Sequence, residues 1–325
     1  MSEIPSEAML LSRDLKLSVE AAIVPAAERG FARVKLEWAG VCGSDLHVLR
    51  TGDWVSYWPA VLGHEAVGVV ESCPGDDLAV GTRVVIDSRV GCGSCEGCGN
   101  SPMHCAKLQW VGEAFPGGFQ RYGLFPVKSL HVCPASLDPS VAVLSEPLAV
   151  ALHAVNLIGD VPEDALILGY GPIGALVHSE LVRRQPEIRV TVREPNPGRA
   201  QLARAAGAIL GTQDVGVWPL VIDAAGFPGS LSTAMESASA SGTVLLVAIG
   251  HAAEQVRPQV IVEKGLRVIG SHGFVDELPI AIGLIATAPS SYRWLITDAM
   301  ALADAPERLA GMILAPTIGK AVIRL

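Results

Sequence analysis

Positive charge is scarce in this 325-residue chain: 24 lysines and arginines stand against 33 aspartates and glutamates, a formal net charge of -9. No run of the sequence gathers basic residues into a cluster. The electrostatic footprint of a nucleic-acid or anionic-membrane binder is therefore missing, and a small molecule is the expected partner. Charged residues make up only 18% and hydrophobic ones 50%, which excludes a disordered chain and is ample for large cores. Long uninterrupted apolar runs are lacking too. The longest tract, from about Val141 to Ile158, is broken by Glu146 and Pro147, which argues against a membrane span. Met1 to Lys16 mixes acids, Pro5 and short apolar runs without the charged-then-apolar order of a secretory signal, so a cytoplasmic protein is expected. In that setting seven cysteines point to thiolate or metal chemistry rather than a disulfide framework. The length suggests about two domains.

The stretch from Cys42 to Glu65 holds the densest chemistry. Cys42-Gly43-Ser44-Asp45-Leu46-His47 is followed by a segment rich in aromatics and then by Gly63-His64-Glu65. A thiolate, an imidazole and a carboxylate are the side chains that hold a catalytic zinc ion while leaving one position open. Taken alone, the run is equally compatible with a buried cysteine and a hydrogen-bonded core histidine. The surrounding sequence reads as β. Ala32-Arg33-Val34-Lys35-Leu36-Glu37-Trp38 alternates, placing Val34, Leu36 and Trp38 on one buried face, and strands at 66–71 and 81–86 flank a Pro74-Gly75-Asp76-Asp77 turn. Short strands at this spacing suggest a compact barrel-type domain.

Four cysteines, Cys92, Cys95, Cys98 and Cys105, fall within 14 residues among glycines. Sulfurs at this spacing can wrap one tetrahedral ion with no open position, a structural zinc; disulfides are the alternative. Cys73 and Cys133 have no ligand partner nearby in sequence and are expected to be inert core thiols. Further on, Ser145-Glu146-Pro147-Leu148 opens a helix. Glu146 there either favours the helix dipole or joins the metal site.

Ala165-Leu166-Ile167-Leu168 reads as a strand running into Gly169-Tyr170-Gly171-Pro172-Ile173-Gly174, then a helix, then a strand 188–192 followed by Glu194, 20 residues past Gly174. In that context the G-x-G-x-x-G spacing predicts dinucleotide binding, with glycines admitting the pyrophosphate at a helix N-terminus and Glu194 accepting from the ribose hydroxyl. Alternation continues through a helix 198–206, strands 208–210 and 220–223, a helix 229–240, and strands 244–249 and 266–270, making a doubly wound parallel sheet. About nine residues separate the strand near Leu210 from that near Leu220, too few for the usual crossover helix. The last apolar strand, Ala321-Val322-Ile323, is expected to return to the first domain.

On these motifs the chain resembles the zinc-dependent medium-chain alcohol dehydrogenases, in the branch of sorbitol, other polyol and threonine dehydrogenases, over nearly its whole length. The resemblance implies an α/β fold with a GroES-like mostly-β catalytic domain (1–155 and 291–325) around a Rossmann domain (156–290). It also implies two zinc ions per chain, one on Cys42 and His64 with Glu65 or Glu146 as further ligand or holder of the metal-bound water, and one on Cys92, Cys95, Cys98 and Cys105. Ser44 and His47 match the family's proton relay. For the coenzyme it points to Gly169, Gly171, Pro172, Ile173, Gly174 and Glu194. A carboxylate at Glu194 favours NAD over NADP, while Arg193 and Arg199 nearby can accommodate a 2'-phosphate. Trp54, Tyr57, Trp58 and Trp110 are candidates for walls of a substrate pocket.

The implied activity is hydride transfer between a secondary alcohol (a polyol, an amino alcohol or similar) and NAD(P), in a homodimer or homotetramer. Two departures stand out: six residues separate Cys98 from Cys105, one fewer than usual, which brings His104 into competition as a ligand, and the 211–219 segment is shorter by about a helix. The rival readings are a zinc-free NADPH-dependent enone or quinone reductase of the same fold and a catalytically silent nucleotide-binding relative.

Overall fold

The computed structural model describes every residue except Met1, Asp76, Asn100 and 212–215. Strands β1 (Ile4–Leu11) and β2 (Leu17–Val24) form an antiparallel hairpin and lead into β3 (Phe31–Val41). Helix α1 (Gly43–Thr51) leaves the end of β3. The strands β4 (Glu65–Ser72), β5 (Arg83–Ile86), β6 (Arg89–Val90), β7 (Gln109–Trp110), β8 (Tyr122–Pro126) and β9 (Leu130–Val132) follow, then α2 (Pro139–Ala142) and the long α3 (Ser145–Ile158). Strands and helices alternate after that: β10 (Asp164–Leu168), α4 (Pro172–Arg184), β11 (Arg189–Arg193), α5 (Pro197–Ala205), β12 (Ile209–Leu210), β13 (Trp218–Asp223), α6 (Ser230–Ser237), β14 (Ala238–Leu246), α7 (Pro258–Lys264) and β15 (Arg267–Gly270). The chain closes with α8 (Leu278–Thr287), α9 (Ser290–Arg293), β16 (Ile296–Ala301), α10 (Ala305–Leu314) and β17 (Lys320–Arg324).

Two units result, Met1–Glu146 with Leu278–Leu325, and Pro147–Glu277. Residues 147–155 thus go with the second unit and 278–290 with the first, shifting both boundaries expected from the sequence. The second shift has a clear cause: α8 turns Leu278, Ala281, Ile282 and Ile285 inward and packs on α2, so its apolar stripe is covered within the first unit.

In the first unit β3 is the hub. The sheet order is β16-β17-β3-β4-β5-β9, with β8 also pairing β3. Alternation along β3 buries Val34 and Leu36, but Trp38 is only half-buried. The pairing of β3 with β4 slips between Leu36 and Trp38. A bulge there reverses the parity of the strand, so Ala39 and Val41 take the inward positions expected of Trp38. The returning strand β17 pairs with the same end of β3, Ala321 against Val41 and Val322 against Gly40. The last residues of the chain are thereby set beside Cys42.

The second unit is a parallel sheet in the order β12-β11-β10-β13-β14-β15. Its centre is β10, where Ala165, Leu166, Ile167 and Leu168 are all at most 2% exposed, as a strand covered on both faces requires. Each large apolar side chain buried there stabilises by about 1.5–3 kcal/mol, which exceeds the ~1–2 kcal/mol cost of ordering its backbone. The order reverses at β10, so the loop after it lies at the switch point where such sheets bind ligands.

Three details depart from the sequence reading. Strand β14 spans Ala238–Leu246 rather than 244–249, so the preceding helix is shorter than expected, and α7 was not anticipated. The short strand near Leu210 is present as β12, paired with β11. Between it and β13, Gly211, Gly216 and Val217 carry no helix; the rest of that short segment, 212–215, lies outside the described residues. One stretch, Pro139–Ile158, has the length and hydropathy to cross a membrane, but 78% of its most apolar window is buried inside the protein, as befits a core helix.

Candidate active site

Cys42 is delivered by the end of β3 and stands at the N-cap of α1. Asp45, three residues on, accepts a hydrogen bond from the Cys42 backbone N–H at 2.8 Å, closing the turn in the manner of a capping box. Its other oxygen accepts from the Gly63 N–H at 3.1 Å. Asp45 therefore ties the Cys42 turn to the His64 turn, 18 residues away in sequence. Gly63 has φ 90°, and a Cβ there would lie 2.5 Å from the Phe119 ring, so only glycine fits both the left-handed backbone and the close packing.

These constraints bring one ligand atom each from Cys42, His64 and Glu65 within 4.8 Å of one another. Glu146 is not in that group of three. It is 5% exposed at the start of α3, and its Oε1 accepts from Ser88 Oγ at 3.0 Å. Burial pushes its carboxyl up to about 7. Burial likewise raises Asp45. It opposes charging His64, yet the Asp45 carboxylate, a hydrogen bond with Cys42 and the nearby Glu146 hold that imidazole well above its ordinary value. Burial is thus the main force on both carboxyls, and neighbouring acids outweigh it only at the imidazole. One buried oxygen, Glu65 Oε2, has no hydrogen-bond partner among the described residues. A cysteine sulfur, an imidazole and a carboxylate with an orphaned oxygen form a donor set that suits zinc.

The second metal candidate is built locally. Cys92, Cys95, Cys98 and Cys105 also have ligand atoms all within 4.8 Å, with Cys95 and Cys98 sulfurs 3.4 Å apart. All seven cysteines are free thiols, and the sulfurs stand well beyond the ~2.05 Å of a disulfide. The Cys92 and Lys107 backbone N–H groups both donate to Cys105 Sγ at 3.3 Å. Hydrogen bonds from Ser94 lower the Cys92 thiol to about 5, toward the thiolate that binds metal. The short Cys98–Cys105 spacing is accommodated at Gly97, where any side chain would collide with the His104 carbonyl; His104 itself is exposed and outside the cluster. Cys133 is buried, and burial pushes its thiol up to about 11, while Cys73 is buried in the core.

Of the relay candidates, Ser44 Oγ is buried with no hydrogen-bond partner among the described residues. His47 lies on α1, its ring 4.5 Å from that of Trp54 and its Nε2 3.5 Å from the Asp53 carboxylate. Trp54 is 41% exposed. Trp58 and Tyr57 pack on the first unit's core, Tyr57 also bridging the Val61 backbone through its hydroxyl. Trp110 lies in β7, paired with Arg89.

In the second unit Gly169 has φ 86°, with Ala225 packed where its Cβ would be, and Gly174 abuts the Gly169 carbonyl. Around Gly171 there is room: the nearest atom to a Cβ would be Arg199 Nη1 at 3.8 Å. Pro172 and Ile173 begin α4. Glu194 accepts from the Tyr170 N–H at 2.7 Å and from the Asn196 N–H at 2.8 Å. The Tyr170 ring is fully buried, its hydroxyl 2.8 Å from His178 Nδ1 on α4.

Sequence reasoning missed Asp45, Ser88 and Lys320. The C-x-x-D spacing of a capping box was a usable signal for Asp45. For Lys320, a lone lysine opening an apolar strand was the signal: it is 2% exposed, with Nζ 2.5 Å from Glu65 Oε1.

The alcohol dehydrogenase GroES-like domain family matches residues 28–135. A 2-dehydro-3-deoxy-L-galactonate 5-dehydrogenase of Pseudoalteromonas atlantica is 30% identical over 310 residues, 90% of each chain. An L-idonate 5-dehydrogenase (NAD(P)(+)) of Escherichia coli is 28% identical, over 85% of this chain and 86% of its own. A putative zinc-binding dehydrogenase from Sinorhizobium meliloti, solved bound to NADP, superposes with a TM-score of 0.89 at 28% identity, covering 99% of this chain and 100% of that one. The chain belongs to the zinc-dependent medium-chain alcohol dehydrogenase family, in its polyol and threonine dehydrogenase-like branch. Membership sets its reaction class, oxidoreduction of secondary alcohols with NAD(P).

Proposed function

We propose that the chain oxidises small secondary alcohols carrying further hydroxyl or amino groups, reversibly and with NAD as the favoured coenzyme, at a zinc centre held by Cys42, His64 and Glu65. The observation that carries this is the convergence of those three ligand atoms within 4.8 Å, from two turns tied together by Asp45. Zinc bound there supplies a Lewis acid that lets an alcohol hydroxyl ionise near neutral pH. Ser44, whose buried hydroxyl lacks a partner among the described residues, would accept that proton as it gives up its own. His47, stacked on Trp54 and facing Asp53, passes it to solvent, since an imidazole exchanges protons near physiological pH. NAD, held at the glycine loop by Gly169, Gly171, Gly174 and Glu194, would supply the acceptor for the carbinol hydride. Glu146, held by Ser88, completes the anionic surroundings, and Trp54, Trp58 and Trp110 wall the substrate pocket. The four-cysteine lobe holds a second, structural zinc.

The preference for NAD is supported by Glu194, whose carboxylate is fixed by two backbone amides beside the glycine loop and would repel a 2'-phosphate. Arg199 beside Gly171 leaves NADP as a weaker substitute. The substrate class is supported by the sugar-acid dehydrogenases among the relatives. A screen of polyols, sugar acids, threonine, aminocyclitols and simple secondary alcohols with NAD and NADP separately, repeated on Cys42→Ser, tests this. Formation of NADH with a polyhydroxylated or amino alcohol, abolished in the variant, is expected. Full activity in the variant ends the zinc mechanism.

Self-association through β15 is part of the same proposal. That strand ends the second unit's sheet among the described residues, and Val268 on it and Val262 on α7 are exposed; an open apolar edge invites pairing with a second copy. Sedimentation should give a dimer or tetramer, and Val268→Lys should shift it toward monomer; a monomeric parent refutes it.

A further inference from the structure

Lys320 is the one buried lysine among the described residues of the first unit and lies far in sequence from every other member of the Cys42 centre. Three neighbouring strands put it there. Val322 of β17 opposes Gly40 of β3, and Gly40 opposes Glu65 of β4. A Cβ at Gly40 would collide with Glu65 Oε2 and come within 3.0 Å of Lys320 Cε. The two side chains therefore meet in the room that the glycine leaves, and both are almost completely buried. Their pairing is asymmetric: Lys320 Nζ donates to Glu65 Oε1 at 2.5 Å, while Oε2 has no hydrogen-bond partner among the described residues.

Resting on the zinc centre proposed above, we infer that Lys320 is a positioning residue that leaves Glu65 a single oxygen for the metal, so that a fourth coordination position stays open for the alcohol. A carboxylate can bind zinc through one oxygen or two. An ammonium that claims Oε1 withdraws it from the metal and also offsets part of the negative charge that Cys42, Glu65 and Glu146 bring to the site. Outer partners of this kind orient the ligands of an ion and tune its affinity. No proton or electron moves in this role.

The test replaces the ion of the Cys42 centre with Co2+, keeping zinc on the four-cysteine lobe, and reads the visible d–d spectrum as a difference against Cys42→Ser. The parent should give the intense bands of four-coordinate cobalt. In Lys320→Met the second carboxylate oxygen is free to bind, so the bands should weaken several-fold to a five-coordinate pattern with the metal retained. On the zinc enzyme, kcat should fall at least tenfold and the alcohol KM should rise, with the coenzyme KM unchanged. Lys320→Arg should restore the parent spectrum. Should Lys320→Met not fold, Lys320→Leu, which likewise has no donor for Oε1, is read in the same way. An unchanged cobalt spectrum in the folded variant overturns the inference, as does loss of the metal from a folded variant. Failure of the parent itself to take up cobalt in a Cys42-dependent way overturns the zinc centre on which the inference rests, a distinct result.

Discussion

The four-cysteine lobe and the Cys42 centre both gather metal-ligating side chains within 4.8 Å, but they are assembled in opposite ways. The lobe draws all its sulfurs from 14 consecutive residues and orients them with local backbone amides. The Cys42 centre draws on β3, the turn before β4, the β5–β6 connection at Ser88, the start of α3 and the final strand. A site made by local loop closure adds a cross-link to one segment. A site made by long-range convergence reports on the whole unit, because each contributor arrives through the sheet's register. The lobe should accordingly matter for stability and the distributed centre for chemistry.

The sharpest way to break that contrast is to remove one sulfur from each. Cys42→Ser should cost at least about 10^3-fold in kcat/KM, equivalent to ~4 kcal/mol of transition-state stabilisation, with only a small change in thermal midpoint. Cys95→Ser should lose one zinc by metal analysis and about 5–10 °C in Tm, while the folded fraction keeps kcat within about threefold. Equal losses of activity in the two variants would erase the distinction.

A smaller effect tests the second unit, where Tyr170 in the glycine loop is locked to His178 on α4. Burial lowers the His178 imidazole from 6.5 to about 4. Its folded pKa lies below its unfolded one, so the unfolded chain binds more protons between those values. Stability should be full above about pH 6.5 and fall as pH drops toward 4, by roughly 3 kcal/mol at most from this group. His178→Gln should flatten that part of the Tm–pH curve and raise the KM for NAD about three- to tenfold, the size of one lost hydrogen bond, leaving kcat nearly unchanged. An identical Tm–pH curve in the variant would show that the pair carries no such linkage.

How far the fold was legible follows the range of the interactions. The β10–Gly169–α4–β11 segment and its Glu194 were readable because a fully apolar strand, a glycine loop and a helix start are neighbours in sequence. The bulge that turns Trp38 aside was not, because it belongs to the pairing of two strands rather than to either one. Strand β14 began six residues early for the same reason: Ala238 aligns with Trp218 and Thr243 with Leu220, a register that the local polar sequence S-A-S-G conceals. The unit boundaries also moved, since whether α8 serves one unit or the other depends on what covers its apolar stripe.

Residue types and local spacing by themselves determined a sulfur-rich lobe and a glycine loop between a strand and a helix, for short loops hold these groups close whatever the rest of the chain does, and they offered Cys42, His64 and Glu65 only as candidates. Only the tertiary structure decided that Asp45 would lock two turns together and that a lysine five residues from the C-terminus would grip Glu65. A buried charge needs a partner, and along the chain nothing says which one the folded sheet will bring within reach.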